Sequence, residues 1–284
     1  MNIWVLGAGG MLGSCFVELC GKMGIPVVGS PRSDVDVTDL EGLKRRGKQL
    51  FPTHIVNCAA YTNVDSAESE KEQAFAINAT GAGNAALVAR NLGARLVHVS
   101  TDYVFDGKGK RPYREEDVCA PINTYGQSKW EGEKAVLATY PQACIVRTSW
   151  LFGGKGKNFI SSVLNRILCE EEITAVSDQC GKPTYCRHVA RALVDLLDCS
   201  GIVHFASSTP CSRYQMAQDI VAEARRRGLP VKCARILSAE SSAFPTPAPR
   251  PGYSVLGTEK YESLFNRRPP TWQAALTDFF DDEQ

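Results

Sequence analysis

The chain predicts an α/β fold: a Rossmann-like, doubly wound parallel sheet followed by a smaller C-terminal α/β lobe. Three observations predict it. Short apolar runs alternate with helical patterns through the first half, a glycine-rich turn follows the first run directly, and the alternation loosens beyond Trp150. With 284 residues, 44% of them apolar, there is enough material for one large domain carrying an appended lobe.

The runs IWVL, PVVG, HIVN, RLVHVS and ACIVRT read as buried strands, and segments such as AFAINATGAGNAALVARNL as the helices between them. Right-handed crossovers then put helices on both faces of one sheet. Residues 1–150 are the expected dinucleotide-binding domain. Residues 151–284 are the expected substrate lobe, interleaved with the first. In that lobe helices are predicted near NFISSVLNRIL, CRHVARALVDLLD and YQMAQDIVAEARRRG, a strand at GIVHFA, and two short closing helices after FPTPAPRPG.

Net charge is +1 with acids and bases interspersed, so the chain lacks the basic field of a non-specific nucleic-acid binder. MNIWVLGAGG reaches its glycines after six residues without a basic flank, as a buried strand does and a signal peptide does not. No run approaches the ~20 apolar residues of a membrane span. A soluble cytoplasmic protein with neither a membrane nor a nucleic-acid partner is expected. The 11 cysteines contain no C-x-x-C, and the pairs Cys15/Cys20 and Cys180/Cys186 lack the partners of a zinc site. Reduced thiols and no bound metal are expected.

GAGGMLG, Gly7 to Gly13, lies between the first strand and the first helix, where a phosphate-binding turn belongs. Glycine permits positive φ and lets a pyrophosphate approach main-chain N–H groups at a helix N-terminus. The spacing of Gly7, Gly10 and Gly13 also suits a strand-to-helix turn that uses glycine for close packing. Strand two ends in VVGSPRSD, without the acid that holds a ribose 2′-OH in NAD sites. Arg32 suits a 2′-phosphate, so NADPH is expected as cofactor, or NADH. Asp36 and Asp39 stand either at the adenine edge or as helix caps before Leu40.

TYGQSKWEGEK places Tyr125 and Lys129 at i and i+4, one turn apart on a helix face. An ammonium beside a phenol lowers the tyrosine pKa toward working pH and makes it a general acid. The strand in HVSTDYVFDG ends in hydroxyls and acids. Ligands bind outside the carboxyl ends of such strands, so Thr101 is placed to meet a substrate oxygen, or to be satisfied by local capping.

These motifs, with VNCAAYTNVDSAE, INATG, RTSWLFGGKGKNF, SDQCGKPTY and FPTPAPRPGYSVLGTEK, resemble the extended short-chain dehydrogenase/reductases. More narrowly they resemble the dTDP-4-dehydrorhamnose reductase family, across nearly the whole chain. The resemblance implies reduction of a C4 ketone on a dTDP-linked 6-deoxy sugar, the last step of dTDP-L-rhamnose synthesis. It implies Thr101, Tyr125 and Lys129 as the catalytic trio, with hydride from the nicotinamide and the proton from Tyr125. It implies cofactor contacts from Gly7, Gly10, Met11, Leu12, Gly13, Asn57, Ala59, Ala60 and Tyr61, with Asn78 bracing the site. Thr101, Asp102, Tyr103, Trp150, Asn158 and Arg250 fall on the substrate side, where an aromatic ring can cover a sugar or thymine and Arg250 can pair with a diphosphate.

Members that dimerise through magnesium carry an acid where this chain has Cys15, so no metal is implied and the chain is a monomer or a homodimer. Tyr253 and Gly257 also depart from the family pattern, and both bear on the substrate pocket. Two other functions share the scaffold. A nucleotide-sugar epimerase or dehydratase would use the same trio, with Asp102 as an added acid. A non-catalytic regulatory subunit, like the β subunit of methionine adenosyltransferase, would keep fold and cofactor but have no use for a tuned phenol.

Overall fold

The computed structural model describes residues 1–154 and 158–283; residues 155–157 of the RTSWLFGGKGKNF motif lie outside it. The first half runs β1 (Ile3–Leu6), α1 (Met11–Lys22), β2 (Val27–Ser30), α2 (Leu40–Leu50), β3 (His54–Asn57), α3 (Lys71–Phe75), α4 (Gly81–Leu92), β4 (Arg95–Thr101), α5 (Thr124–Thr139) and β5 (Cys144–Thr148). The second half adds β6 (Leu151–Phe152), α6 (Phe159–Cys169), β7 (Glu172–Val176), β8 (Cys180–Gly181), β9 (Thr184–Tyr185), α7 (Cys186–Asp195) and β10 (Gly201–His204). It closes with β11 (Cys211–Ser212), α8 (Arg213–Arg226), β12 (Arg235–Ala239), α9 (Glu259–Phe265) and α10 (Trp272–Glu283).

Six strands form one parallel sheet of Rossmann type in the order β10-β5-β4-β3-β1-β2. The order reverses between β1 and β3, and a crevice opens at the carboxyl ends there, as such reversals require. The strand in GIVHFA, read from sequence as part of the smaller lobe, is the sixth strand of this sheet, paired with β5. The remaining strands form three two-stranded pieces: β12 with β7, β11 with β8, and β6 with β9.

Alternation along β1 divides the core. Ile3 and Val5 face the layer that holds Phe16 of α1 and Val189 and Leu193 of α7, while Trp4 and Leu6 face Leu43 of α2 and Ala85 and Ala89 of α4. The buried Trp4 indole is satisfied by donating to Ser30 Oγ at 2.9 Å. Cys15 lies in the first layer beneath the Gly153–Gly154 turn, against Cys186. No helix among the described residues is long and apolar enough to cross a membrane.

The placement of α5 matters most for function. Asn123 caps its start by accepting from Gly126 N–H at 2.8 Å, and Thr124 binds Glu68 through both its N–H and its hydroxyl. A Cβ on Gly126 would fall 2.1 Å from the Tyr103 carbonyl oxygen, so only glycine lets the helix begin flush against the end of β4. One turn beyond Lys129, the buried Glu133 takes Arg147 of β5 as a bidentate partner, Nε to Oε1 at 2.9 Å and Nη2 to Oε2 at 2.6 Å. Ser100 of β4 donates to the same Oε1 at 2.5 Å. Helix α5 is thereby tied to two adjacent strands.

Removing one partner of a buried pair strands the other's charge, at a cost of about 3–5 kcal/mol. Arg147→Met is expected to lose that much unfolding free energy, read from the denaturant midpoint. A loss below about 1 kcal/mol would mean that the pair does not carry this load.

Candidate active site

The glycine turn opens the site. Gly7 has φ +74°, and a Cβ there would lie 2.6 Å from the Ala59 nitrogen, so strand β3's exit and the turn meet at backbone distance. Helix α1 follows with no side-chain cap and no acid in its first turn. Its free N–H groups and positive end suit a pyrophosphate. A cleft of about 450 Å³ beside it is walled by Gly7, Gly10, Arg32, Asp36, Ala59 and Ala60, among others. These residues fit a nicotinamide dinucleotide.

At the far end of this cleft Arg32 is exposed and its Nε lies 3.4 Å from Asp36. Thr38 N–H, donated to Asp36 Oδ1 at 2.9 Å, is the largest cause that holds the Asp36 carboxyl below its usual range. Asp39 caps α2 by accepting from Gly42 N–H at 3.0 Å, which decides between its two expected roles.

Asn57, Tyr61 and Asn78, expected among the cofactor contacts, do not line the cleft. The Asn57 and Asn78 side chains are spent internally. Asn57 accepts from Ala59 N–H and bonds His98, while Asn78 clasps both main-chain groups of Tyr61 and donates to Ser128 Oγ. The Tyr61 hydroxyl turns outward to Glu70. These residues shape the loops that wall the cofactor cleft and are not themselves its surface.

A second cavity, also about 450 Å³, adjoins the first, with Gly10, Cys58 and Ala60 on both walls. Met11, Leu12, Gly13, Thr101, Asp102, Tyr103, Tyr125, Lys129, Trp150 and Asn158 all lie on its wall. Thr101 ends β4 with its Oγ1 donating to Asp102 Oδ1 at 3.0 Å and accepting from Tyr103 N–H at 3.2 Å. The Tyr103 ring stands edge-on to Tyr125 at 5.7 Å. Asn158 lines the cavity while its side chain also caps α6.

The electrostatics correct one expectation. Burial pushes the Tyr125 phenol above its ordinary value; the Thr101 hydroxyl opposes this and the Asp102 charge adds to it. Lys129 is not what tunes the phenol in the chain alone. Its ammonium donates to the Val99 carbonyl at 2.7 Å. Burial brings Lys129 down to about 8, against the pull of Glu133, and lifts Asp102 to about 6. A raised phenol stays protonated and ready to donate.

Other wall residues escaped the sequence reading. Thr148, opposite Thr101 in the sheet register, presents a buried Oγ1 without a hydrogen-bond partner, and Phe159 and Arg213 line the outer side. Arg213 opens α8 behind the capping box of Ser212 and Gln215, a pattern that marks a helix start but not what its first side chain faces. Beyond it an outer cavity of about 590 Å³ is lined by Tyr103, Phe159, Gln179, Phe244 and Arg250 with others. Arg250 already pairs with Asp65 at 2.8 Å.

The whole chain, residues 1–284, matches the family model described as the RmlD substrate binding domain. The chain belongs to that family. The dTDP-4-dehydrorhamnose reductase of Escherichia coli K12 is 36% identical over 286 residues, covering 97% of this chain and 96% of that protein. A dTDP-4-keto-6-deoxy-D-glucose reductase of Streptomyces niveus is 38% identical over 282 residues, covering 97% and 95%. The crystal structure of dTDP-4-dehydrorhamnose reductase from Bacillus anthracis in complex with NADP superposes with a TM-score of 0.94 at 33% identity, covering 99% of this chain and all of that one. This RmlD-family chain therefore shares its architecture with that structure from end to end.

Because Lys129 is charged below about pH 8 and neutral above it, affinity for reduced nicotinamide cofactor is expected to fall as pH rises through that value. Cofactor fluorescence titrations across the range would follow it. An affinity that is flat to about pH 10 would contradict a charged role for Lys129.

Proposed function

We propose that this chain reduces the C4 keto group of dTDP-4-dehydro-L-rhamnose to dTDP-L-rhamnose, using NADPH or NADH. The carrying observation is one cavity wall that holds Thr101, Tyr125 and Lys129 together and shares Gly10, Cys58 and Ala60 with the glycine-turn cleft. The family match supports the substrate class, and the relatives at 36% and 38% identity both act, by name, on 4-keto sugars linked to dTDP.

A bound reduced nicotinamide supplies the hydride. The chain's own work is to hold the ketone and deliver a proton. Thr101 and Tyr125 converge on one oxygen position, where the phenol donates its proton as negative charge develops. Burial keeps that proton on Tyr125 until then. Lys129, charged over most of the working range and held to the Val99 carbonyl, lines the same cavity and takes the hydroxyls of the nicotinamide ribose. Arg32 at the open end of the cleft suits a 2′-phosphate and favours NADPH.

The Streptomyces relative favours a second substrate of the same class, dTDP-4-keto-6-deoxy-D-glucose, which carries the same ketone. Absorbance at the reduced-nicotinamide band with either sugar and either cofactor separates these readings. Stoichiometric oxidation of NADPH with the L-sugar is expected; no oxidation with either sugar would overturn the reductase.

Tyr125→Phe is expected to lower kcat at least ~100-fold with little change in cofactor affinity. A Phe variant that stays active would remove Tyr125 from the proton-donor role. Arg32→Ala is expected to weaken NADPH more than NADH, and equal losses would mean that Arg32 does not read the 2′-phosphate.

A further inference from the structure

We propose that Arg213 is the diphosphate clamp of the substrate site, gripping the nucleotide's phosphates at the throat between the reaction cavity and the outer cavity. The proposal rests on the reductase reading above and assigns to Arg213 the role that sequence gave to Arg250.

Three residues, Tyr103, Phe159 and Arg213, lie on the walls of both cavities, so they stand where the two adjoin. A nucleotide sugar with its ketone at Tyr125 and its base in the outer cavity must pass its diphosphate through this point. Arg213 is half-buried there, with its guanidinium 3.6 Å above the Trp150 ring and 4.7 Å from the Phe159 ring. Stacking of this kind fixes the plane of the fork while leaving its N–H edges free to bind.

The stack itself is built in. Trp150 adopts φ +44°, and a Cβ on Gly181 would lie 2.3 Å from the indole, so that glycine admits the ring. What Arg213 lacks is a counter-ion. Among the described residues no carboxylate oxygen comes within 4.0 Å of it, and its one polar neighbour is Met216 Sδ at 4.0 Å. Asp102 acts on it only at longer range, with Oδ1 occupied by Thr101. Burial accordingly pulls its pKa below the ordinary guanidinium value. Arg250, by contrast, meets Asp65 at 2.8 Å and the Ala248 carbonyl at 3.0 Å, so its charge is already answered. A half-buried, uncompensated and pre-oriented guanidinium is matched by a divalent or multivalent oxyanion.

The test is calorimetric titration of the full chain, at fixed salt and saturating NADP⁺, with dTDP, dTMP and thymidine. Wild type is expected to bind dTDP tightest. Arg213→Gln is expected to lose at least about 30-fold for dTDP, the low end for a buried charge pair, and little for thymidine. Arg250→Gln should lose less than about tenfold. Arg213→Lys keeps the charge without the planar fork, and covers the case of a glutamine variant that does not fold; it should weaken dTDP about tenfold with thymidine unmoved. Either Arg213 variant binding dTDP within about threefold of wild type, with NADP⁺ affinity intact, would overturn the clamp alone. Wild type binding dTDP no better than thymidine would overturn the clamp and the proposed substrate class together.

Discussion

The buried pair of Glu133 and Arg147 is the constraint on which the rest of the site depends. Both side chains are almost wholly removed from solvent, and their bidentate contact, with Ser100 as a third member, joins α5 to the ends of β4 and β5. Such a pair need not add net stability, because desolvating two charges offsets most of the attraction. Its contribution is register: the carboxylate is satisfied only when α5 sits at one height and one rotation. That position brings Tyr125 to Thr101 on one side, and carries β5 out to Thr148, Ser149 and Trp150 on the other.

Burial then sets the chemistry. The same desolvation lifts the Tyr125 phenol and the Asp102 carboxyl and brings Lys129 down, so each group is pushed toward its neutral form. For a proton donor this is useful, because the proton is held until charge develops on the neighbouring oxygen. For the lysine it means that the ammonium is maintained by partners, the Val99 carbonyl and the Glu133 charge, and not by water. The glutamate that fixes the helix therefore also supports the charge one turn above it.

The sheet, the glycine turn and the pairing of Tyr125 with Lys129 were legible because each is a local pattern. Short continuous apolar runs, a glycine-rich turn after the first of them, and an i,i+4 spacing all leave marks within a few residues. What stayed hidden depends on residues far apart in the chain. Arg213 meets Trp150 and Phe159 across more than fifty positions, and nothing around CSRYQMAQ announces it. The Gly201–His204 strand looked like part of the lobe because its neighbour, β5, is fixed by tertiary pairing. Asn57 was read as cofactor surface on the strength of a resemblance, while its buried hydrogen bonds, like those of the bracing Asn78, make it a support. The lysine's hydrogen bond to the Val99 carbonyl is likewise a matter of side-chain direction, which spacing does not encode.

In the reaction proposed for this chain, one cavity brings a nicotinamide hydride and the Tyr125 proton to the two ends of a sugar C4 carbonyl. The most direct test of this is NMR of the product formed from dTDP-4-dehydro-L-rhamnose and NADPH deuterated at the transferable C4 position. One deuterium is expected at C4 of the deoxysugar and none at its neighbouring carbons, with protons from solvent found only on exchangeable oxygens. Hydrogen at C4 drawn from solvent, or deuterium retained on the cofactor while the sugar is altered, would contradict it.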